Sequence, residues 1–178
     1  MIDIELDATD IDRLERALER VDGIASRKVH ARVELILEML TNEAVDITHT
    51  KDLIGATSAY VNGLQWDLSG RGLNLKGRVF SSAGHSRYVE HGRGPGGFPP
   101  VDAIQLWVRR KLGVSSQEEV EAVAYLVGRA IAQRGTIARF GYEGGKVLQE
   151  TKDKGERKAQ RMWQDMVGDL VRELDRML

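Results

Sequence analysis

The sequence predicts an α+β fold: a small antiparallel sheet, the hairpin 64–80, packed with N-terminal, central and C-terminal amphipathic helices. Three observations lead there. Apolar residues recur at three-and-four spacing near both ends of the chain. In the middle that period gives way to alternation around a Gly-containing turn. All three prolines fall in one segment, "YVEHGRGPGGFPP" from residue 88, with four glycines beside them.

Taken in order, "IDIEL" (residues 2–6) alternates apolar and acidic residues, a short strand signal. Thr9 and Asp10 offer N-cap oxygens. Ile11, Leu14, Leu18 and Val21 then fall at helical spacing, and Gly23 is expected to break or kink that helix. Val29, Val33, Ile36, Leu37, Leu40 and Ala44 continue on one face, so residues 10–48 read as two helices or one bent long helix. Residues 52–61, "DLIGATSAYV", add a further strand candidate. "LQWDL" and "LNLKGRVF" alternate around "SGRG", a hairpin with a four-residue loop. Leu64, Trp66 and Leu68 share one face, as do Leu73, Leu75, Gly77 and Val79 on the partner strand.

A long Gly/Pro-rich loop, 84–100, follows the hairpin. Pro99 and Pro100 suit the first turn of the next helix, where a missing N–H costs nothing. That helix carries Val101, Ile104, Trp107 and Val108 on its apolar face and stops at Gly113. Ser116 and Glu119 match a capping box for another helix, whose buried face is Val120, Val123, Ala124, Val127 and Ile131 and which closes at Gly135. A second Gly-rich loop, "TIARFGYEGGKVLQET", precedes the clearest helix, residues 155–178. Its stripe of Ala159, Met162, Trp163, Met166, Val167, Leu170, Val171, Leu174 and Met177 is expected to be buried against residues 11–44 or 120–131.

Composition narrows the function. A chain of 178 residues, 42% hydrophobic and 30% charged, reads as one globular domain spanning 1–178. Without cysteine it has no disulfide framework and no thiol nucleophile or thiolate metal site. No apolar run approaches the roughly 20 residues of a membrane span. The acidic N-terminus lacks a signal-peptide pattern, so the expected location is the cytoplasm or a particle assembled there.

The motifs that carry chemistry are weak. "YEGGKV" fails the phosphate-loop pattern twice, with Phe140 at its first Gly position and Val147 after Lys146, and so reads as a turn. His85, Glu90 and His91 lack the third His or Cys that would complete a metal set, so no metal and no cofactor is expected. There is no G-x-S-x-G elbow, and nothing positive supports a carboxylate pair. Charge distribution says more. The formal net charge is −1, yet between Ser69 and Gly97 stand Arg71, Lys76, Arg78, Arg87 and Arg93 against the single acid Glu90. Such a basic stretch is either a solvated face or a contact for an acidic partner, another copy of the chain, or DNA phosphates.

At "GRVFSSAGHSRYVEHGRGP" the chain resembles a family of tailed-phage neck and tail-completion proteins, the gene-product-ten-like family. That family runs Gly-x-Val-x-Ser into Tyr-Val-Glu-aromatic-Gly-Thr-Gly, matched here by Gly77, Val79, Ser81, Tyr88, Val89, Glu90, Gly92 and Gly94. His91 replaces the aromatic and Arg93 the Thr. "IQLWVRRKLG" and "VGRAIAQRGT" resemble the family's Trp-containing helix and its Ile-Ala-x-x-x-Gly-Thr helix end. The resemblance covers about residues 25–150, with the Asp/Lys-Thr-Gly-x-Leu segment only loosely echoed by Thr50 to Leu53.

The resemblance implies a structural virion protein without catalysis. It would form a homo-oligomeric ring, sixfold, at the head–tail junction, beside neck or connector, tail-terminator or tail-tube proteins, with double-stranded DNA passing through the lumen. The expected interface residues are Arg71, Arg78, Arg87, Tyr88, Glu90, His91, Arg93 and Phe98, with Tyr88 and Phe98 as apolar anchors and Glu90 and Arg93 as polar contacts. The sheet edge and loop 84–98 are the expected route of self-association. A small hydrolase and a DNA-binding regulator are the alternatives; the first needs a cleft of convergent titratable groups and the second a basic recognition helix.

Overall fold

The computed structural model describes residues 8–53, 58–72 and 74–176, without the side chains of 8–20, 137–140 and 174. In chain order the elements are α1 (Ala8–Thr50), α2 (Ala59–Asn62), β1 (Leu64–Arg71), β2 (Asn74–Ser81), α3 (Ser86–His91), α4 (Val101–Leu112), α5 (Gln117–Phe140) and α6 (Val147–Asp175). The fold is α+β, a two-stranded antiparallel hairpin packed with helices. The strand expected at residues 2–6 lies outside the described residues.

Of the two readings of residues 10–48, the structure takes the single helix. Gly23 neither ends α1 nor meets anything: a Cβ there would have open space within 4 Å. The third strand expected in 52–61 is not formed among the described residues. Ser58 sits in the left-handed region at φ 55° and starts the one-turn helix α2. The turn is worth making because it turns the Tyr60 side chain inward, where it is 1% exposed.

The described residues divide into two compact units. One comprises the described parts of Met1–Met39, Trp66–Arg78 and Gly155–Leu178. Its buried apolar side chains are Ala25, Val29 and Leu37 of α1 and Met166 of α6. The hairpin backbone lies close to α1 at Gly77, where a Cβ would stand 2.7 Å from Leu37 Cδ1. Across the hairpin the Arg78 guanidinium pairs with Asp67 at 2.6 Å, and the Ser69 hydroxyl donates to the Lys76 carbonyl. Lys28 of α1 pairs with Glu173 of α6.

The other unit comprises Leu40–Gln65 and Val79–Lys154 and holds two apolar clusters. Ala44 and Ile47 of α1, Tyr60 and Val147 form the first, joined by Leu53, Leu64, Val89 and Leu148. Ile104 and Val108 of α4 meet Val120 and Ala124 of α5 in the second. These belong to the apolar faces the sequence assigns to the two helices, but Val101 and Trp107, expected on the same face of α4, are exposed. Pro100 stands at the N-cap of α4, Arg109, Arg110 and Lys111 occupy its last turn, and Gly113 caps it at φ 70°. The cations there suit the negative end of the helix dipole.

The last helix departs from expectation. It begins at Val147 rather than 155, and its stripe is only partly covered. Met166 is 3% exposed, but Trp163, Val167 and Val171 are 41%, 42% and 51% exposed. Met177 and the Leu174 side chain lie outside the described residues.

Candidate interface loop

The segment expected as one long loop, 84–100, is partly helical. Ser86–His91 form α3, with a turn at Gly84 and His85 before it and no regular element over Gly92–Pro100. Local sequence does not explain a helix of six residues, but tertiary bonds do. On its inner side the Val89 carbonyl accepts from the Gly145 N–H at 2.6 Å and from the Tyr142 hydroxyl at 2.6 Å. The Glu90 carbonyl accepts from the Lys146 N–H at 3.1 Å. Burial raises the pKa of the Tyr142 phenol, keeping it the proton donor in this contact.

Two glycines make this approach possible. Gly144 has φ 95°, and a Cβ on it would lie 2.1 Å from the Glu90 carbonyl oxygen. Gly135 has φ 69°, and its Cβ would lie 2.2 Å from the Arg93 carbonyl oxygen. A side chain at either position is excluded by conformation and by space together. Gly135 also interrupts α5 with ψ −175°, as the sequence expects of a helix end. The next residue uses the break: Thr136 donates its N–H to the Arg93 carbonyl at 2.7 Å, and its Oγ1 accepts from the Arg93 N–H at 2.8 Å. One turn earlier the Ala132 carbonyl accepts from the Gly96 N–H at 2.9 Å. The Gly/Pro stretch is thus docked along the end of α5.

Glu90 is not at the surface. Its side chain is 6% exposed, and its carboxylate accepts from the Tyr60 hydroxyl and from the Leu148 N–H at 3.2 Å. Leu148 is the second residue of α6, so a carboxylate from α3 satisfies a free N–H at the helix N-terminus, where the dipole favours negative charge. Burial pushes the Tyr60 phenol up, and the adjacent carboxylate adds to it, so Tyr60 stays the donor. The role expected for Glu90, a directional contact to a neighbouring subunit, therefore gives way to an internal one in this unit.

The other expected residues divide between the two units. In the loop, Arg87 and His91 are exposed. Tyr88 is exposed, with the Arg93 guanidinium 5.4 Å from its ring centroid. Arg93 also donates to the Gly97 carbonyl, so it stiffens the loop from within. Phe98 stacks on Tyr125 of α5, centroids 5.9 Å apart, and its ring fills the space a side chain at Gly128 would need. In the hairpin, Arg71 is exposed and Arg78 is held by Asp67, which raises its pKa and lowers that of the carboxyl. The structure brings Arg87, Tyr88, His91, Arg93 and Phe98 into one segment.

Sequence reasoning missed Tyr60 and Gly144, and it read Gly135 and Thr136 only as a helix end, not as the seat of the loop. For Gly144 the signal lay in the second Gly-rich loop, where a positive φ is needed to admit the first loop. Beside the loop, a groove of about 550 Å³ opens between α4 and α5, with an almost wholly apolar lining that includes Trp107, Ile131 and Tyr142. Among the described residues no three His, Asp or Glu side chains gather in a metal-binding group, and no helix is long and apolar enough to cross a membrane. No family model matches the sequence, and no curated protein or solved structure matches it at a significant level.

Proposed function

We propose that this chain is a structural virion protein, the subunit of a homo-oligomeric ring, sixfold, at the head–tail junction of a tailed phage. Its partners are further copies of itself and the adjacent neck, connector, tail-terminator or tail-tube proteins. DNA passes through the lumen without sequence recognition. The observation that carries the reading is the build of segment 86–100. Its inner side is fixed by backbone bonds to Thr136, Gly145 and Lys146 and by Phe98 stacked on Tyr125 of α5, while Arg87, Tyr88 and His91 are exposed. A loop already ordered loses less entropy on binding than a flexible one, as suits a contact made once during assembly. The same stretch carries the resemblance to the neck and tail-completion proteins.

The basic residues are assigned to protein contacts more than to DNA. Each phosphate neutralised adds about one unit to the salt dependence of binding, so rings of free arginine around a channel would hold DNA that must slide. Arg78 and Arg93 are already engaged, by Asp67 and by Tyr88 with Gly97. That leaves Arg71, Lys76 and Arg87 as the exposed candidates for acidic neighbours.

The test is incorporation. Tagged chain supplied during phage assembly is expected at the head–tail junction by electron microscopy. The Arg87→Glu variant, which folds because Arg87 is exposed, is expected to leave free heads and free tails. Particles that never contain the chain would overturn the reading.

A further inference from the structure

We infer that the outer face of α6 is a twofold contact between two copies of this chain, with the helices antiparallel and centred on Val167. Trp163, Val167 and Val171 are spaced by four residues and are each two-fifths or more exposed. Gln160 and Gln164 fall on the same face, so no charge interrupts it between them and Val171. In a chain that is 30% charged, an uncharged helix face with an exposed indole is a surface that a partner covers.

The flanking charges choose that partner. At about 100° per residue, Arg157 and Asp175 both project about 80° to the same side of Val167, and Arg161 about 120°. All three are exposed, and among the described residues none has an ion-pair partner in its own chain. A twofold axis at Val167 brings residue n level with residue 334 − n of the other copy and keeps each flank on its own side. Asp175 of one copy then stands level with residue 159 of the other, between Arg157 and Arg161. Trp163 meets Val171, and Val167 meets itself. In a parallel pairing the twofold runs along the helices and sends this flank to the opposite side of the partner, so Asp175 meets neither arginine, and the charges select the antiparallel pairing.

The contact is modest. From Arg157 to Asp175 the helix runs about 27 Å, so the buried area falls at the low end for specific interfaces. A dimer dissociating at about micromolar concentration is expected. A twofold contact closes on itself, so it is separate from the head-to-tail contact a ring requires and uses a different surface from loop 86–100.

The absence of cysteine makes the test direct. In the full chain, Val167→Cys is expected to form a disulfide with its own copy under mild oxidation. Lys158→Cys, exposed on the opposite side of α6, should do so at least tenfold more slowly. Sedimentation should show a concentration-dependent dimer that Val167→Glu abolishes while circular dichroism stays unchanged. Asp175→Arg alone should weaken the dimer at least tenfold, and adding Arg157→Glu and Arg161→Glu should restore it. A monomer at all concentrations, or equal crosslinking at residues 167 and 158, would overturn the inference. Neither result bears on incorporation at the head–tail junction, which the tagged-chain experiment reads separately.

Discussion

The two ends of α6 share a helix and an amphipathic pattern but not an environment. In the first turns Val147 is 0% and Thr151 4% exposed, and Gly155 is buried. There the helix start is gripped by Tyr60, Glu90 and the Gly-rich loop. Three turns on, Trp163, Val167 and Val171 stand open with no such cover. The difference is one of partners. An apolar stripe states which face avoids water, and the rest of the chain decides whether that face is met inside the molecule or left for another one.

The sharpest way to break the comparison is at Tyr60. Tyr60→Ala removes a large, fully buried side chain from the cluster around Val147 and should cost about 3–5 kcal/mol by denaturant unfolding. A cost below about 1 kcal/mol would show that the gripped end is no better held than the open one. Tyr60→Phe keeps the ring and removes the donor to Glu90, so a cost of about 1–3 kcal/mol is expected. The same pair sets an alkaline limit. Burial first, and then Glu90, raise the folded pKa of Tyr60 above its unfolded value. Its contribution is therefore fully present below the unfolded pKa of about 10 and is lost as pH rises towards the folded value. Wild-type stability should fall above about pH 10 with a slope that Tyr60→Phe reduces. Some slope remains, because the Tyr142 phenol is shifted the same way.

What was legible in the sequence follows the same division. The hairpin, α4 and α5 were readable because their periods are local and their stops are local too: Pro100 before α4, Gly113 after it, Gly135 within α5. Helix α3 was not. Six residues carry no period, and the bonds that hold them come from residues 142–146, more than fifty positions away. Glu90 read as the lone acid of a basic surface, but its placement depends on Tyr60 and Leu148, which no nearby residue announces. At Trp163 the period was right and the inference of burial was not, because periodicity carries no information about cover.

Trp163→Ala measures the open end. With two-fifths of the residue exposed, its loss should cost the single chain about 1–2 kcal/mol, below the figure for a fully buried indole. The measurement belongs at low protein concentration, where self-association does not contribute. A loss equal to that of Tyr60→Ala would mean the two ends of the helix are equally covered.

The smallest effect separates two glutamates at the same helix start. Glu90 is buried and held by an O–H and an N–H, whereas Glu150 lies one turn along α6 on its solvent side. Its carboxylate meets Lys154 at 2.7 Å and Lys51 at 2.5 Å, and Lys51 also donates to the Gly145 carbonyl at 2.7 Å. Lys154, and then Lys51, hold the Glu150 carboxyl below its ordinary range. A depressed folded pKa means the stabilisation is complete above the unfolded value and is lost as pH falls through the folded one. Unfolding of the wild type and of Glu150→Gln should therefore differ at pH 7 and converge in acid. Because these groups are a third to a half exposed, the difference should also shrink in high salt. The gap between wild type and Tyr60→Phe should persist in that salt, since the hydroxyl and carboxylate it concerns are shielded from the ions. If salt erased both gaps equally, the buried glutamate would be behaving as a surface one, and the contrast between the gripped and open ends of α6 would lose its electrostatic half.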